Sequence, residues 1–251
     1  MALEQLFPER RELEVGQAYA ELDLQELAPS FRPYVVANMI SSADGRATLH
    51  GRTRTLSTET DKKLFLELRT LVDAVMVGTG TIALERYGPL LRSEDHRERR
   101  RARGLEPVPL AVTASRTMEL PVETPLFQDP DSRVVVITNS EREPPSVPAK
   151  IIVERISGPE IDFAIGLERL RAKHRVRALL VEGGPTLLGA MVMANVVDEL
   201  FLTLAAKLVG GDGERSLLEG YALDEPADLA LKSVLREGSY LYLRYAIGLR
   251  K

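Results

Sequence analysis

Apolar runs and segments of helical periodicity alternate along most of the chain. The run 34–40 has the pattern of a buried strand, and a helix is predicted over 58–71 because Leu64, Leu68 and Leu71 fall on one face. The same patterns predict helices over 161–174 and 186–194, and strands over 73–77, 109–113, 133–138, 151–153, 178–181, 198–204 and 240–245. Strands that alternate with helices are typical of a layered α/β fold.

The two ends of the chain depart from this alternation. No helical segment separates the strands predicted over 198–204 and 240–245, whereas parallel neighbours need a long crossover connection. We therefore expect a mixed, mostly parallel central sheet with an antiparallel edge. Residues 1–32 contain a weak helical pattern over 12–27, and we interpret them as an N-terminal arm.

The composition excludes several classes of function. With 44% hydrophobic and 28% charged residues, the chain can bury a core, and its net charge of −4 argues against non-specific nucleic-acid binding. It has no cysteine and three scattered histidines, so we predict neither disulfides nor a metal site. No signal peptide or long apolar segment is visible, and we expect a cytoplasmic protein.

Two predicted strands end directly in glycine-containing loops. The first loop is Gly78-Thr79-Gly80-Thr81, and the second is Glu182-Gly183-Gly184-Pro185-Thr186. Ligands of α/β sheets bind beyond the carboxyl ends of the strands, where glycine allows close approach and a helix start offers free N–H groups to a phosphate. A need for tight turning would explain either loop equally well, and neither has the spacing of a dinucleotide fingerprint or a P-loop.

Three charged features outside the glycines could carry chemistry or could be structural. Glu182 ends an apolar strand, where a carboxylate is costly unless it is paired, so it is either a catalytic or ligand-binding group or a buried structural acceptor. Asp44, before Gly45, fits a structural turn. The basic segment 92–104 fits a solvated helix or loop, or else an anion-binding patch; nucleic-acid binding there is disfavoured because acids are interspersed and aromatics are missing.

Several blocks together resemble a known family. They are Asn38-Met39-Ile40-Ser41-Ser42-Ala43-Asp44-Gly45-Arg46, Leu68-Arg69, Asp73-Ala74-Val75-Met76-Val77-Gly78-Thr79-Gly80-Thr81, Val181-Glu182-Gly183-Gly184-Pro185-Thr186-Leu187-Leu188 and Val197-Asp198-Glu199-Leu200. In this order they resemble the pyrimidine reductases of riboflavin biosynthesis (the RibD C-terminal domain family), in a stand-alone form without a deaminase domain. The likeness starts near Pro33, so residues 33–251 are expected to form the reductase domain.

The resemblance implies a dihydrofolate-reductase-like, three-layer α/β/α fold, a homodimer, and NADPH as the cofactor. It also implies three sets of site residues, each matched by position to the family. The catalytic candidates are Asp44 and Glu182. The substrate-binding candidates are Asn38, Thr53, Arg69 and Arg92. The cofactor-binding candidates are Thr55, Gly78, Gly80, Thr81, Glu85, Gly183, Gly184, Pro185, Thr186 and Leu187.

The implied reaction is the NADPH-dependent reduction of the ribosyl group of 5-amino-6-(5-phosphoribosylamino)uracil to a ribitylamino group. Arg52, Arg54 and Arg116 are the loop candidates for the cofactor 2′-phosphate. Many family members read Ser-x-Trp where this chain has Thr53-Arg54-Thr55, and the chain has no tryptophan. This departure leaves two alternatives open, namely a reductase of dihydrofolate or another pterin, and a non-catalytic regulatory protein that binds NADPH or another nucleotide.

Overall fold

The computed structural model describes residues 3–220, 222–223 and 225–248. Within them the strands of one 11-stranded sheet are β1 (Leu3–Phe7), β2 (Arg11–Leu13), β3 (Tyr34–Ser42), β4 (Ala74–Met76), β5 (Leu110–Ala114), β6 (Arg133–Thr138), β7 (Lys150–Arg155), β8 (Ala178–Val181), β9 (Glu199–Ala205), β10 (Leu229–Glu237) and β11 (Tyr240–Ile247). Their spatial order is β2-β1-β10-β11-β9-β3-β8-β4-β5-β6-β7. In this spatial order every neighbouring pair from β9 through to β7 is parallel, and every pair from β2 through to β9 is antiparallel. This pattern confirms the expected mixed sheet.

Helices cover both faces of the parallel part of the sheet. They are α1 (Glu59–Arg69), α2 (Thr79–Leu84), α3 (Glu94–Ala102), α4 (Pro125–Gln128), α5 (Phe163–His174) and α6 (Pro185–Met193). Successive strand residues point to opposite faces, so Val36 packs in one core with Leu68 of α1, whereas Val35 packs in a second core with Leu167 of α5 and Met191 of α6. This arrangement confirms the expected three-layer α/β/α fold.

The helix expected within residues 12–27 is wrong, because this segment forms the end of an edge strand, one short 3-10 turn over Val15–Gln17 and further turns. β1 pairs antiparallel with β10, and β2 pairs with β1 at the edge. Tyr19 and Leu24 reach the core on the α1 side, where the Tyr19 ring meets Phe201 edge-on at 5.3 Å between centroids. Burial of these side chains overrides a weak local helical preference. The division into an arm and a reductase domain stays a prediction.

The basic segment 92–104 forms α3 and is largely engaged in local pairs. Arg99 donates to Glu67 through both terminal guanidinium nitrogens, at 2.8 and 2.9 Å. Arg100 is fully buried and donates to the carbonyls of Arg69, Val72 and Glu106 at 2.5–2.7 Å. The solvated-helix interpretation therefore holds for most of the segment, while Arg100 fastens α3 to the end of α1.

Candidate active site

A cleft of about 950 Å³ opens beyond the carboxyl ends of β3, β4 and β8. The loop between β3 and α1, one face of α1, the segment from Gly80 to Arg92 and the loop after β8 line it. Because β8 lies between β3 and β4, their carboxyl ends converge at this edge. The ligand site expected at the two glycine loops therefore coincides with this cleft.

The two glycine loops contact each other directly at the base of the cleft. The N–H of Gly78 donates to the carbonyl of Gly183 at 2.9 Å. A Cβ on Gly184 would lie 2.8 Å from Oγ1 of Thr81, so a larger residue at 184 would separate the loops. A Cβ on Gly80 would meet nothing within 4 Å, because this residue faces the open cleft.

The start of α6 offers unpaired N–H groups beside these loops. Gly184 is its N-cap and supplies no side-chain cap, and the first intrahelical bond runs from the N–H of Leu188 to the carbonyl of Gly184 at 3.0 Å. The N–H groups of Thr186 and Leu187 precede that bond and have no intrahelical acceptor. Such N–H groups, at the positive end of a helix dipole, suit a phosphate.

Arg69 and Glu182 form an ion pair below the cleft. Nε and Nη2 of Arg69 donate to the two carboxylate oxygens of Glu182 at 2.6 and 2.7 Å, and Nη1 donates to the carbonyl of Leu90 at 2.5 Å. The Tyr87 hydroxyl donates to the same carboxylate at 3.0 Å. The guanidinium also lies 4.4 Å from the centre of the Phe65 ring. Sequence reasoning identified both charges and missed that they neutralise each other.

The electrostatics of this cluster follow from its burial. Burial by itself lowers the pKa of Arg69, but the charge and hydrogen bonds of Glu182 outweigh it, so the pKa is raised. Burial, reinforced by the Glu182 charge, raises the pKa of the Tyr87 hydroxyl well above its ordinary value. Tyr87 thus keeps its proton and Arg69 its charge at neutral pH.

The face of α1 toward the cleft carries an acid, an aromatic ring and a base in one row along the helix. Asp61, Phe65 and Arg69 follow at intervals of four residues and all line the cleft. Asn38 on β3 lies nearby, and it lines a small cavity below the cleft together with Asp61 and Phe65. Sequence reasoning did not single out Asp61. Its four-residue spacing to Phe65 and Arg69 is the signal that would have found it.

Cationic groups outnumber acidic ones in the lining. The cations are Arg54, Lys62, Arg69, Arg86, Arg92 and Arg215, and the acids are Asp61, Glu85 and Glu182. Of these acids, Glu182 is neutralised by its ion pair. The charge balance of the cleft suits an anionic ligand.

Among the described residues no group of His, Asp and Glu is placed to hold a metal ion. No described helix is long and apolar enough to cross a membrane.

A family model described as the RibD C-terminal domain matches residues 33–242. The chain belongs to this family. It is 31% identical over 192 residues to the 2,5-diamino-6-ribosylamino-4(3H)-pyrimidinone 5′-phosphate reductase of Archaeoglobus fulgidus, a match that covers 75% of this chain and 87% of that protein. The enzyme of the same name from Methanothermobacter thermautotrophicus is 30% identical, over 86% and 99% of the two chains.

The RibD-type fold is also seen in a solved structure. A pyrimidine reductase-like protein of Corynebacterium diphtheriae superimposes with a TM-score of 0.77 at 23% identity, over 95% of this chain and 100% of that one. These comparisons confirm the family and the fold that the sequence blocks indicated.

Most of the residues that the RibD resemblance singled out line the cleft. They are Asn38, Thr53, Arg69, Gly80, Thr81, Glu85, Arg92, Glu182, Gly183, Gly184 and Pro185. The Thr53 hydroxyl donates to Glu85 at 3.3 Å, which ties the loop before α1 to the end of α2. Arg92 lies against Gly88, where a Cβ would be 2.9 Å from its Nη2. Of the three arginines considered for a cofactor 2′-phosphate, Arg54 lines the cleft, whereas Arg52 and Arg116 do not.

The remaining candidates lie outside the lining. Gly78 joins the two glycine loops through its N–H, and Thr186 and Leu187 have N–H groups without an intrahelical acceptor at the start of α6. Thr55 instead offers its carbonyl to the ammonium group of Lys207.

Asp44 accepts hydrogen bonds from three donors away from the cleft. These are the Ser42 hydroxyl at 2.5 Å and the N–H groups of Gly210 and Val209 at 2.7 and 3.1 Å. The three bonds lower its pKa to about 2. The structure therefore supports the turn interpretation of Asp44 and does not place it with Glu182.

Proposed function

We propose that this chain is an NADPH-dependent reductase that converts the ribosyl group of a 5-amino-6-ribosylaminopyrimidine 5′-phosphate to a ribityl group. One observation carries the proposal: the two glycine loops meet at the base of a cationic cleft in a chain of the RibD family. The uracil form expected from the sequence and the 2,5-diamino form in the names of the two relatives differ at C2 of the ring.

The glycine loops fit a dinucleotide cofactor. Gly80 leaves room for close approach, and the N–H groups of Thr186 and Leu187 would hold its pyrophosphate. Arg54 would contact the 2′-phosphate, since its exposed guanidinium lines the same cleft. NADPH supplies the hydride when it is bound, and the protein supplies orientation and electrostatics.

Arg92 is our candidate for the substrate phosphate. Its exposed guanidinium lies against Gly88, and within the described ranges no carboxylate pairs with it. Arg69 is committed to Glu182, so we assign these two residues to holding the floor of the cleft in place. Asn38 offers an amide from β3 to the pyrimidine ring.

Assays of the purified protein with two kinds of substrate decide between the proposal and its alternatives. We expect NADPH oxidation with a 5-amino-6-ribosylaminopyrimidine 5′-phosphate and none with dihydrofolate, and a larger thermal shift with NADPH than with NADH. Oxidation with dihydrofolate alone would establish the pterin reductase instead. A thermal shift without oxidation of any substrate would establish the regulatory protein.

Arg54→Ala tests the cofactor assignment, with Arg52→Ala as its matched control. Arg54 lines the cleft, whereas the neighbouring Arg52 is exposed outside it. Arg54→Ala should weaken the binding of NADPH and leave that of NADH unchanged, because the two differ in the 2′-phosphate. An equal loss of NADPH affinity in Arg54→Ala and Arg52→Ala would contradict the assignment of Arg54 to the 2′-phosphate.

We also propose a homodimer. Leu229 and Leu231 of β10 are 47% and 40% exposed, and their antiparallel partners Ile247 and Tyr245 extend the same face. An apolar strand pair of this kind suits an interface. Light scattering should give twice the chain mass of 27.8 kDa, and Leu229→Asp should halve it. A monomer in the unmodified protein would refute the proposal.

A further inference from the structure

Asp61 places a carboxylate in the cleft that the assignments above do not use. Its oxygens accept hydrogen bonds from the hydroxyls of Ser57 and Thr203, each at 2.6 Å. In the part of the chain that the structure describes, no Lys, Arg or His side chain lies within ion-pair distance of it. The adjacent Lys62 contacts Glu59 instead, at 2.5 Å. Asp61 is thus an unneutralised acid in a cleft whose other charges are mostly positive.

The surroundings of Asp61 hold its carboxylate in one orientation. Its N–H donates to the hydroxyl of the N-cap residue Thr58 at 3.1 Å, which fixes the backbone in the first turn of α1. Ser57 contacts one carboxylate oxygen and Thr203 contacts the other. Each carboxylate oxygen accepts about two hydrogen bonds. One acceptor position therefore remains on each oxygen, and together they suit two parallel donors.

A pyrimidine ring with a 2-amino group and a 4-oxo group presents two such donors. Its N3–H and one 2-amino N–H point in the same direction. In the corresponding uracil the 2-amino group is replaced by a carbonyl oxygen, which would face the carboxylate with its lone pairs. A carboxylate at this position favours the first ring, because it accepts a hydrogen bond from the 2-amino group. It disfavours the second ring, because it repels the carbonyl oxygen at the same position.

The row on α1 separates this acid from the cationic end of the cleft. Asp61 and Arg69 are eight residues apart on α1, which places them about 12 Å apart along the helix axis. Phe65 lies between them and offers an apolar surface. Arg92, our candidate for the substrate phosphate, follows two residues after Leu90, whose carbonyl Arg69 contacts. A substrate with a polar ring edge at one end and a phosphate at the other matches this order of groups.

We propose that Asp61 is the specificity-determining residue of the cleft, and that it selects a ring with a 2-amino-4-oxo edge over the corresponding uracil. This inference rests on the proposed function. Two small-molecule classes carry such an edge, namely the 2,5-diamino-6-ribosylaminopyrimidinone phosphates and the pterins, and the experiment below separates them.

The test compares Asp61→Asn with the unmodified protein on both ribosylaminopyrimidine phosphates and on dihydrofolate. Asparagine has the same shape but offers one acceptor and one donor group. Asparagine therefore loses one of the two hydrogen bonds, and the other is no longer made to a charged group. Since a hydrogen bond to a charged group is worth at least about tenfold, kcat/KM for the 2-amino substrate should fall at least about tenfold. The value for the uracil should stay the same or rise, so the ratio of the two should collapse.

Glu59→Gln is the matched control, because it removes the charge of the other acid in the first turn of α1, which does not line the cleft. It should leave the ratio between the two pyrimidines unchanged. An unmodified protein that prefers the uracil, or an Asp61→Asn ratio equal to that of the unmodified protein, would overturn the inference. A merely structural role of Asp61 would lower both activities alike.

Binding measured by calorimetry separates this inference from the proposed function. If the unmodified protein oxidises NADPH with neither pyrimidine, the proposed function fails, while loss of 2-amino-pyrimidinone binding in Asp61→Asn would still support recognition by Asp61. If dihydrofolate alone is reduced and Asp61→Asn abolishes its binding, the edge recognition stands and the ligand is a pterin. Equal binding of all three compounds to both proteins would refute it.

Discussion

Replacing Glu182 with glutamine removes the charge that faces Arg69 and keeps the shape of the side chain. The Glu182 side chain is 0% exposed and that of Arg69 is 9% exposed, so water cannot take over the lost interaction. Arg69 would then be a buried cation whose nearest acceptors are neutral. Glutamine retains one carboxamide oxygen, which can accept one of the two hydrogen bonds that Arg69 now donates to Glu182.

The expected cost follows from the burial of the pair. Breaking a buried ion pair by removing one partner costs about 3–5 kcal/mol, and the retained acceptor places Glu182→Gln at the lower end, at about 3 kcal/mol. For a chain of this size 1 kcal/mol corresponds to about 2–4 °C, so the melting temperature should fall by about 6–12 °C. Turnover should fall as well, because the pair supports the floor of the cleft.

Chemical denaturation followed by far-ultraviolet circular dichroism measures this loss, since the chain has no tryptophan for fluorescence. Glu59→Gln is the control, because it breaks the exposed pair with Lys62, and such pairs contribute little. The double variant Arg69→Met/Glu182→Leu should recover most of the stability without recovering turnover, because it leaves no buried charge. A change of less than about 1 kcal/mol in Glu182→Gln would refute the reasoning.

Further predictions concern other buried or constrained groups. Arg100→Met should lower the free energy of unfolding by about 3 kcal/mol, because three backbone carbonyls lose their donor; an unchanged denaturation midpoint would contradict this. Gly189→Ala should cost about 1–3 kcal/mol, since its Cβ would lie 2.6 Å from a backbone oxygen, whereas Gly80→Ala, with nothing within 4 Å, should not destabilise the protein. Hydrogen bonds lower the pKa of Asp44 from 3.8 to about 2. The contribution of this carboxylate to stability is therefore present above about pH 4 and is lost as the pH falls through 2. A titration of the Asp44 carboxyl group near pH 4, followed by NMR, would refute this prediction.

The edge strands show where local pattern stops being informative. The central parallel strands could be predicted, because apolar runs such as that of β8 are buried on both faces. β9 could be predicted although only every second residue of it is fully buried. β10 was missed, since most of its residues are exposed and its pairing partners lie far away in sequence or follow it in a hairpin. β1 was missed because its partner β10 is more than two hundred residues away in the sequence.

The active site shows the same division between local and long-range information. The glycine loops could be predicted, because each is a short motif at the end of a strand, and the resemblance to the family supplied the other candidates that line the cleft. The ion pair between Glu182 and Arg69 could not be predicted, because the two residues are 113 positions apart and meet only when α1 packs beside β8. The turn role of Asp44 was an open alternative that its contacts with Val209 and Gly210 now support.

The sequence by itself determined the α/β class, the family and the edge of the sheet at which ligands bind, because these depend on periodicity and on short motifs. Only the tertiary structure decided which charges are available to a ligand. It paired Glu182 with Arg69, buried Arg100 and left Asp61 unneutralised in the cleft. The physical reason is that the cost of a charge depends on its neighbours in space, and those neighbours come from distant parts of the chain.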